Sequence, residues 1–361
     1  MAATLNPLAQ HGSSSPSPRV SRETLVIAGL KVDVYGLAEL AHTNSACKVS
    51  CLWLHHPRLC AKEDMADIAN QALAAYYQAA SSGGGDARRG LIAVAFDQRN
   101  HGSRLVEPLA NEAWRSGNKT HAQDMLGTVT GMVVDTTHLL DAIEGYLFGA
   151  GDGPGIMPDG NPRHIDHNLV LGVSLGGHSA WQLMFAEPRV TAGVMVIGCT
   201  DYMGLLKDRA RLSRLQTYST QDNGASFLGS KDFPNALVAT CKKYDPKGLL
   251  FGTNPIVSPI SAAEQERLRP LLDSKISGKR FQVLSGGKDK LVPYVASAPF
   301  LGFFKDAAST WYKDGGIYVE DNVYPGAGHV FNTEMRDDAV KFILSSIALA
   351  DGEKNAASSK I

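Results

Sequence analysis

The stretch LVLGVSLGGHSAW, residues 169–181, places a serine between two glycines directly after a short apolar run. Residues 169–173 are branched or small and uncharged, which is typical of a strand buried on both faces. From Gly176 onward, apolar residues recur at helical spacing until Pro188 ends the pattern. Ser174 therefore lies in a sharp turn from a strand into a helix. Such a turn exposes a serine hydroxyl and directs a helix N-terminus at negative charge developing beside it.

Ser174 is either a nucleophile or a passive turn residue, and a nucleophile needs two partners. A histidine must take the hydroxyl proton, and an acid must orient that histidine. Asp289 follows a predicted strand and a glycine turn, and His329 follows a later strand in the sequence GAGH. All three residues stand at carboxyl ends of predicted strands, in the order serine, acid, histidine. We therefore predict that Ser174 is the nucleophile of a catalytic triad.

Composition narrows the class of protein. The chain has 361 residues, is 44% hydrophobic and carries a formal net charge of −1. These values predict one large globular core with an insertion. Near-neutrality argues against nucleic acid as a partner, and no apolar run reaches the length of a membrane span.

Strand and helix patterns alternate along the chain, which predicts a mostly parallel sheet covered by helices on both faces. The predicted strands are 24–35, 48–55, 91–97, 168–173, 193–199, 281–286 and 317–323. The predicted helices are 62–80, 121–147, 176–187, 294–304 and 333–349. Ligands of such sheets bind beyond the carboxyl ends of the strands, where Ser174 would lie.

Breaks in the alternation predict the domain boundaries. Residues 1–22 are rich in serine and proline and are predicted to be a disordered tail. The core is predicted to comprise residues 23–202 and 276–352. Residues 203–275 are predicted to form a cap insertion, and residues 353–361 a flexible C-terminal tail.

The motifs together resemble those of the α/β-hydrolase superfamily across residues 23–350. The stretch FDQRNHGSR (96–104) resembles a segment that follows the fourth strand in many members. The stretches SGGKDKLVP and GAGH resemble the loops that carry the acid and the histidine, and Gly-Gly-His after the serine is similar to esterases of the prolyl-oligopeptidase-like branch. The resemblance implies an α/β-hydrolase fold with a small helical cap inserted before the acid-bearing strand. It also implies that Ser174, Asp289 and His329 form the triad.

One position departs from the family pattern. An oxyanion hole needs two N–H donors, and Leu175 N–H is the expected first one. The second normally comes from the loop after the third strand, but the aligned residue is Pro57, which has no N–H. Either His56 or Arg58 then supplies the donor from a shifted loop, or the oxyanion hole is incomplete; of these we prefer His56. Alternatively, His55 and His56 simply pack at the strand end.

The expected activity is hydrolysis of a small-molecule carboxylic ester or thioester through an acyl-enzyme, with no cofactor and no metal. His164 and His167 flank a loop, but nothing beside them completes a metal site. A prolyl-oligopeptidase-like peptidase and a lyase or acyltransferase using the same triad stay open. The Pro57 anomaly also leaves open a catalytically silent, hydrolase-like binding protein. Trp114 and residues 111–118 could border the substrate pocket, and a solvated loop is the default interpretation of this segment.

The chain ends Ser359-Lys360-Ile361, a conservative variant of the Ser-Lys-Leu peroxisomal address. This ending predicts a peroxisomal import receptor as a partner. The expected location is therefore peroxisomal or cytoplasmic.

Overall fold

The sheet and its helices are described by a computed structural model over residues 6–9, 19–40, 47–82, 89–149 and 163–352. The predicted tail at 353–361, with its C-terminal tripeptide, lies outside these residues, as does most of 1–22. The tail boundaries and the peroxisomal address therefore stay predictions.

Within the described ranges eight strands form one sheet, in the order β1-β2-β4-β3-β5-β6-β7-β8. The strands are β1 Arg22–Ile27, β2 Leu30–Tyr35, β3 Lys48–His55, β4 Gly90–Phe96, β5 His164–Val173, β6 Val190–Val196, β7 Arg280–Gly286 and β8 Tyr318–Tyr324. Strand β2 is antiparallel to both neighbours, and the strands from β4 to β8 are all parallel. This mostly parallel sheet confirms the predicted α/β-hydrolase fold.

The prediction of one strand over residues 24–35 is wrong, because the segment is a hairpin. Ala28 and Gly29 have φ of 49° and 82°, so the chain reverses between β1 and β2. Two consecutive residues with positive φ are typical of the tight turn that matches strand twist. Residues 25–30 form an almost continuous apolar run through this turn, so the run alone does not reveal the reversal.

Helices cover both faces of the sheet. Their bounds are α1 Leu37–Leu40, α2 Ala66–Ser82, α3 His121–Phe148, α4 Leu175–Ala186, α5 Tyr202–Leu212, α6 Asn235–Tyr244, α7 Pro246–Phe251, α8 Ala262–Ile276, α9 Ala298–Ser309 and α10 Thr333–Ala350. Side chains of β3 alternate between the two cores: Trp53 packs with α3, α4, α8 and α9, whereas Leu52 and Leu54 pack with α2 and α10.

A third apolar cluster lies beside the start of α4. It joins Leu175 to Met125 of α3, to Leu206 of α5 and to Phe227 and Phe233 of the following segment. The helices between β6 and β7 therefore pack next to the serine-bearing turn. No helix in the described part of the chain is long and apolar enough to cross a membrane.

Candidate active site

Ser174 occupies the turn between β5 and α4 in a strained backbone conformation. Its φ is 56° and its ψ is −112°, a region that residues other than glycine rarely adopt. The Ser174 N–H donates to Val196 O at 2.9 Å, which ties the turn to β6. Strain of this kind costs about 1–3 kcal/mol and is typical of functional sites.

The glycines around the serine allow the backbone to approach other segments closely. A Cβ at Gly172 would overlap the carbonyl of Gly176, and a Cβ at Gly176 would overlap the carbonyl oxygen of His55. The loop after β3 therefore lies directly against the serine-bearing turn. Only a residue without a side chain fits at these two positions.

Gly176→Ala is expected to lower the reactivity of the Ser174 hydroxyl at least about tenfold, because the added methyl group pushes the loop after β3 away from the turn. Overpacking of this kind also lowers the free energy of unfolding by about 1–3 kcal/mol. Kinetics and urea unfolding measure both effects. The matched control is Gly127→Ala in α3, where a Cβ meets open space and the helix should lose no stability. Equal activity and stability in the two variants would show that this close approach is unimportant.

The structure brings the three predicted residues together. His329 Nε2 lies 2.8 Å from Ser174 Oγ, and His329 Nδ1 lies 2.7 Å from Asp289 Oδ2. The other carboxylate oxygen, Asp289 Oδ1, accepts hydrogen bonds from the N–H groups of Leu291 at 2.8 Å and Val292 at 2.9 Å. An ionised carboxylate only accepts, so we assign the proton to His329 Nδ1. Nε2 is then free to accept the serine proton.

The loops that carry Asp289 and His329 are bonded to each other. The Lys288 N–H donates to Ala327 O at 2.8 Å, so the two loops are held in register by their backbones. The Asp289 carboxylate is fully buried, and the His329 side chain is 13% exposed. The acid is therefore shielded from water, while the imidazole reaches the edge of the site.

An N-terminal segment supports the loop that follows His329. The Phe331 N–H donates to Pro7 O at 2.8 Å, and Arg336 donates to Leu8 O at 3.1 Å. Leu8 itself is buried against the core beneath α10. This segment lies within the predicted tail at 1–22, and the sequence pattern gave no indication of the contact.

His178 also contacts the serine residue, although the sequence suggested no role for it. It lies one helical turn after Ser174, and its Nδ1–H donates to the Ser174 carbonyl at 2.8 Å. Burial lowers the pKa of His178 to about 4, so the ring is neutral at physiological pH. The four-residue spacing between Ser174, which caps α4, and His178 was the sequence signal for this contact.

The imidazoles of His55 and His56 are hydrogen-bonded to buried groups of the fold. His56 Nδ1–H donates to Pro57 O at 2.8 Å, and its Nε2 accepts from the Gln98 N–H at 2.9 Å. His55 contacts Ser179 Oγ at 2.8 Å and a threonine hydroxyl of α3 at 3.1 Å. Any oxyanion donor from His56 would therefore be its main-chain N–H, in the loop that lies against the serine-bearing turn.

The stretch FDQRNHGSR (residues 96–104) holds the loop after β3 in place through hydrogen bonds. Asp97 Oδ1 accepts from the Lys62 N–H at 2.9 Å, and Asp97 Oδ2 accepts from the N–H and hydroxyl of Ser103 at 2.9 and 2.7 Å. Its neighbour Gln98 bonds both the ring and the carbonyl of His56. These contacts fix the position of the segment that faces Ser174.

Stability is expected to fall in acid, because several buried histidines are neutral in the fold. Burial lowers the pKa of His55 and His121 to about 3, and of His56, His167 and His178 to about 4, from an ordinary value of 6.5. Below pH 6.5 the unfolded chain binds these protons first, so the free energy of unfolding falls as the pH drops towards 4. Each imidazole contributes a slope of up to about 1.4 kcal/mol per pH unit.

Urea unfolding at a series of pH values between about 7 and about 5 measures this slope. His167→Gln should reduce the slope of the free energy of unfolding against pH by the contribution of one imidazole. His138→Gln changes an exposed imidazole and is the matched control. A free energy of unfolding that is constant over this range would contradict the assignment of neutral buried rings.

The described residues contain no group of three or more His, Cys, Asp or Glu side chains arranged to hold a metal ion. His164 Nδ1 lies 2.8 Å from Glu144 Oε1, and His167 Nδ1 lies 2.9 Å from Ser50 Oγ. The prediction that His164 and His167 flank a loop is wrong, because both lie on β5, and each has another partner.

Comparisons with known proteins concern the fold. No protein-family model matches the chain, and no curated protein matches its sequence. The solved structure of TT1662 from Thermus thermophilus is 18% identical, covers 90% of this chain and 97% of its own, and superposes with a TM-score of 0.51.

Two further solved structures are less similar. A cold-adapted esterase from an Arctic intertidal metagenomic library is 14% identical, with 90% of this chain and 92% of that chain covered and a TM-score of 0.46. A hydrolase from Pseudomonas aeruginosa PA01 is 18% identical, with 91% and 98% covered and a TM-score of 0.44. At such identities the likeness to TT1662 shows a shared fold.

Proposed function

This chain has the α/β-hydrolase fold, and we propose that it is a serine hydrolase that cleaves a carboxylic ester or thioester through an acyl-enzyme. The observation that supports the proposal is the continuous chain of contacts from Ser174 Oγ to His329 Nε2 at 2.8 Å and from His329 Nδ1 to Asp289 Oδ2 at 2.7 Å. A serine hydroxyl is a weak nucleophile until a neighbouring base takes its proton, and this geometry supplies the base and its orienting acid.

In the first half of the reaction Ser174 Oγ attacks the carbonyl carbon while its proton moves to His329 Nε2. The tetrahedral intermediate collapses when the bond to the leaving oxygen or sulfur breaks, and the imidazolium returns the proton to that atom. In the second half a water molecule gives a proton to His329 and attacks the acyl-enzyme. The acid leaves and Ser174 regains its proton. Asp289 stays ionised and stabilises the imidazolium in both halves.

The carbonyl oxygen becomes negatively charged in both tetrahedral intermediates and needs donors. Leu175 is the first residue of α4, so its N–H lies at the positive end of the helix dipole, beside the serine. We propose that Leu175 N–H and the main-chain N–H of His56 form the oxyanion hole. The close contact between Gly176 and the His55 carbonyl supports this placement of the His56 segment.

The electrostatics beside the triad favour an ester or thioester over a peptide with a free N-terminus. A peptide ammonium group needs carboxylates around it. The cavity beside α5 is instead lined by Arg58 and Arg209 among other cations. This charge is unfavourable for an amino-terminal substrate group.

Three substrates with one acyl chain test the proposal: p-nitrophenyl butyrate, S-phenyl thiobutyrate and butyryl p-nitroanilide. The ester is expected to give a burst of p-nitrophenol equal to the enzyme concentration, because the acyl-enzyme accumulates. The thioester should also turn over, and the anilide should react at least about a hundredfold more slowly. Turnover of the anilide alone would support a peptidase. Absence of turnover with all three substrates would support the binding-protein alternative.

A further inference from the structure

A cavity of about 210 Å³ opens beside α5, and four of its twelve lining residues carry a positive charge. Four cations line it: Arg58, Arg115, Arg209 and Lys290. The one carboxylate in its described lining is Asp208, which pairs with Arg211 at 2.6 Å. The lining therefore carries an excess of positive charge.

Two buried donors in this lining have no acceptor in the described structure. They are Arg209 Nε and the indole Nε1 of Trp114. The Trp114 ring packs edge-on against His121 with centroids 4.9 Å apart and against Phe227 at 6.0 Å, which fixes the direction of its N–H. Buried donors are normally satisfied, so these two indicate that an acceptor belongs in the cavity.

Two carboxylates outside the lining act on these cations, Glu112 on Arg58 and Asp289 on Arg209. Burial, together with the positive charges of Arg209 and Arg58, lowers the pKa of His121 to about 3, so His121 is neutral and its Nδ1–H donates to Glu112 O. The Glu112 carboxylate is the acidic group near Arg58, whose guanidinium also donates to Asn111 O at 2.5 Å. The described lining itself thus places four cations and one carboxylate around a neutral imidazole.

The cavity is connected to the triad by hydrogen bonds. Arg209 Nη2 donates to Leu291 O at 3.2 Å, and the Leu291 N–H donates to Asp289 Oδ1 at 2.8 Å. On the other side, Arg58 directly follows the His56-Pro57 segment that faces the serine-bearing turn. The cavity therefore lies next to the loop that carries Asp289 and next to the loop that follows β3.

We propose that this cavity binds a carboxylate of the substrate, so that the enzyme acts on esters or thioesters that carry a second, free acid group. The inference rests on the proposed function. Its basis is the pair of unsatisfied donors, the cationic lining and the connection to Asp289. Carboxylate oxygens accept from guanidinium and indole N–H groups, and a charged acceptor forms the stronger hydrogen bonds. One water molecule takes about 30 Å³ of liquid, so the volume of the cavity is sufficient for a carboxylate on a short carbon chain.

Two substrate pairs test the proposal, each an acid and its neutral methyl ester. Mono-p-nitrophenyl glutarate and its methyl ester place the acid on the acyl side. 4-Acetoxyphenylacetic acid and its methyl ester place it on the leaving-group side. In at least one pair the acid is expected to have a kcat/KM about tenfold or more above its neutral partner, the effect of one charge-assisted hydrogen bond.

Variants assign this preference to the cavity. Arg209→Met should lower the acid-to-neutral ratio of kcat/KM by about tenfold or more, and Trp114→Phe, which keeps the ring and removes the N–H, by about threefold. Lys207→Met is the matched control, because it removes a cation of α5 that is not part of the described lining. Thermal melting shows whether Arg209→Met is folded. If it is not, the Trp114→Phe result alone decides the test.

The outcomes separate the two proposals. Neutral esters that turn over at Ser174 with no acid preference in either pair would overturn the carboxylate site and leave the serine hydrolase intact. The same holds if the acid preference survives both cavity variants. If no ester turns over and Ser174 is not labelled by a fluorophosphonate, the proposed function fails and the carboxylate site fails with it.

Discussion

Ser174→Ala is expected to lower kcat for p-nitrophenyl butyrate by about 10⁴- to 10⁶-fold, because the acyl-enzyme can no longer form. The side chain that is lost makes its described hydrogen bond to His329 alone, so the fold should change little. We expect the free energy of unfolding to stay within about 1 kcal/mol of the wild type. Substrate binding should persist, which separates loss of chemistry from loss of the site.

Ser50→Ala is the matched control for this variant. Ser50 is a fully buried serine near the start of β3, bonded to His167 at 2.9 Å, whereas the triad lies at the carboxyl ends of the strands. The Ser50→Ala substitution removes a buried hydroxyl far from the reacting atoms, and the variant should keep most of the activity. Hydrolysis by Ser174→Ala at more than about a hundredth of the wild-type rate would contradict nucleophilic attack by Ser174.

Asp289→Asn is expected to lower kcat by about 10⁴-fold through the tautomer of His329. The carbonyl oxygen of the new amide can keep the bonds that Oδ1 now accepts from Leu291 and Val292. Its NH₂ group then faces His329 Nδ1, where Asp289 Oδ2 now lies at 2.7 Å. Because the amide donates, Nδ1 must accept, and the imidazole proton moves to Nε2. A protonated Nε2 cannot take the proton of Ser174.

Asp201→Asn is the control for the same chemical change. Asp201 caps α5 by accepting from the Gly204 N–H at 2.9 Å, and asparagine caps a helix equally well. This variant should keep its kcat within about threefold of the wild type. The two kcat values, measured on one substrate with both proteins shown to be folded, make the comparison. Retention of about a tenth or more of the activity in Asp289→Asn would rule out the acid role.

The proximity of Ser174, Asp289 and His329 could be predicted because each residue has a local signature. Each stands in a glycine-containing loop after a recognisable apolar strand, and parallel strands present such loops at one edge of the sheet. Ser174 and His329 are separated by 155 positions, yet the fold class alone brings their loops together. Strand-end position thus carried the information, without any knowledge of side-chain contacts.

Other features depend on contacts that no local pattern encodes. The apolar run over residues 25–30 does not show that the chain reverses at Ala28. The sequence likewise does not show that both ring nitrogens of His56 are hydrogen-bonded, one to Pro57 O and the other to the Gln98 N–H. Arg209 lies on α5, between β6 and β7, where no strand end fixes its position. Its relation to the acid loop results from packing of that helix beside α4, which only the three-dimensional structure shows.

The central claim is that Ser174 is an activated nucleophile, and the most direct measurement is the mass of the intact protein after treatment with a fluorophosphonate. The proposed mechanism predicts one adduct per chain, mapped to Ser174 by peptide analysis and missing from Ser174→Ala. The Ser50→Ala protein should label like the wild type. Absence of an adduct under conditions that label a known serine hydrolase, or an adduct at another residue, would contradict the mechanism.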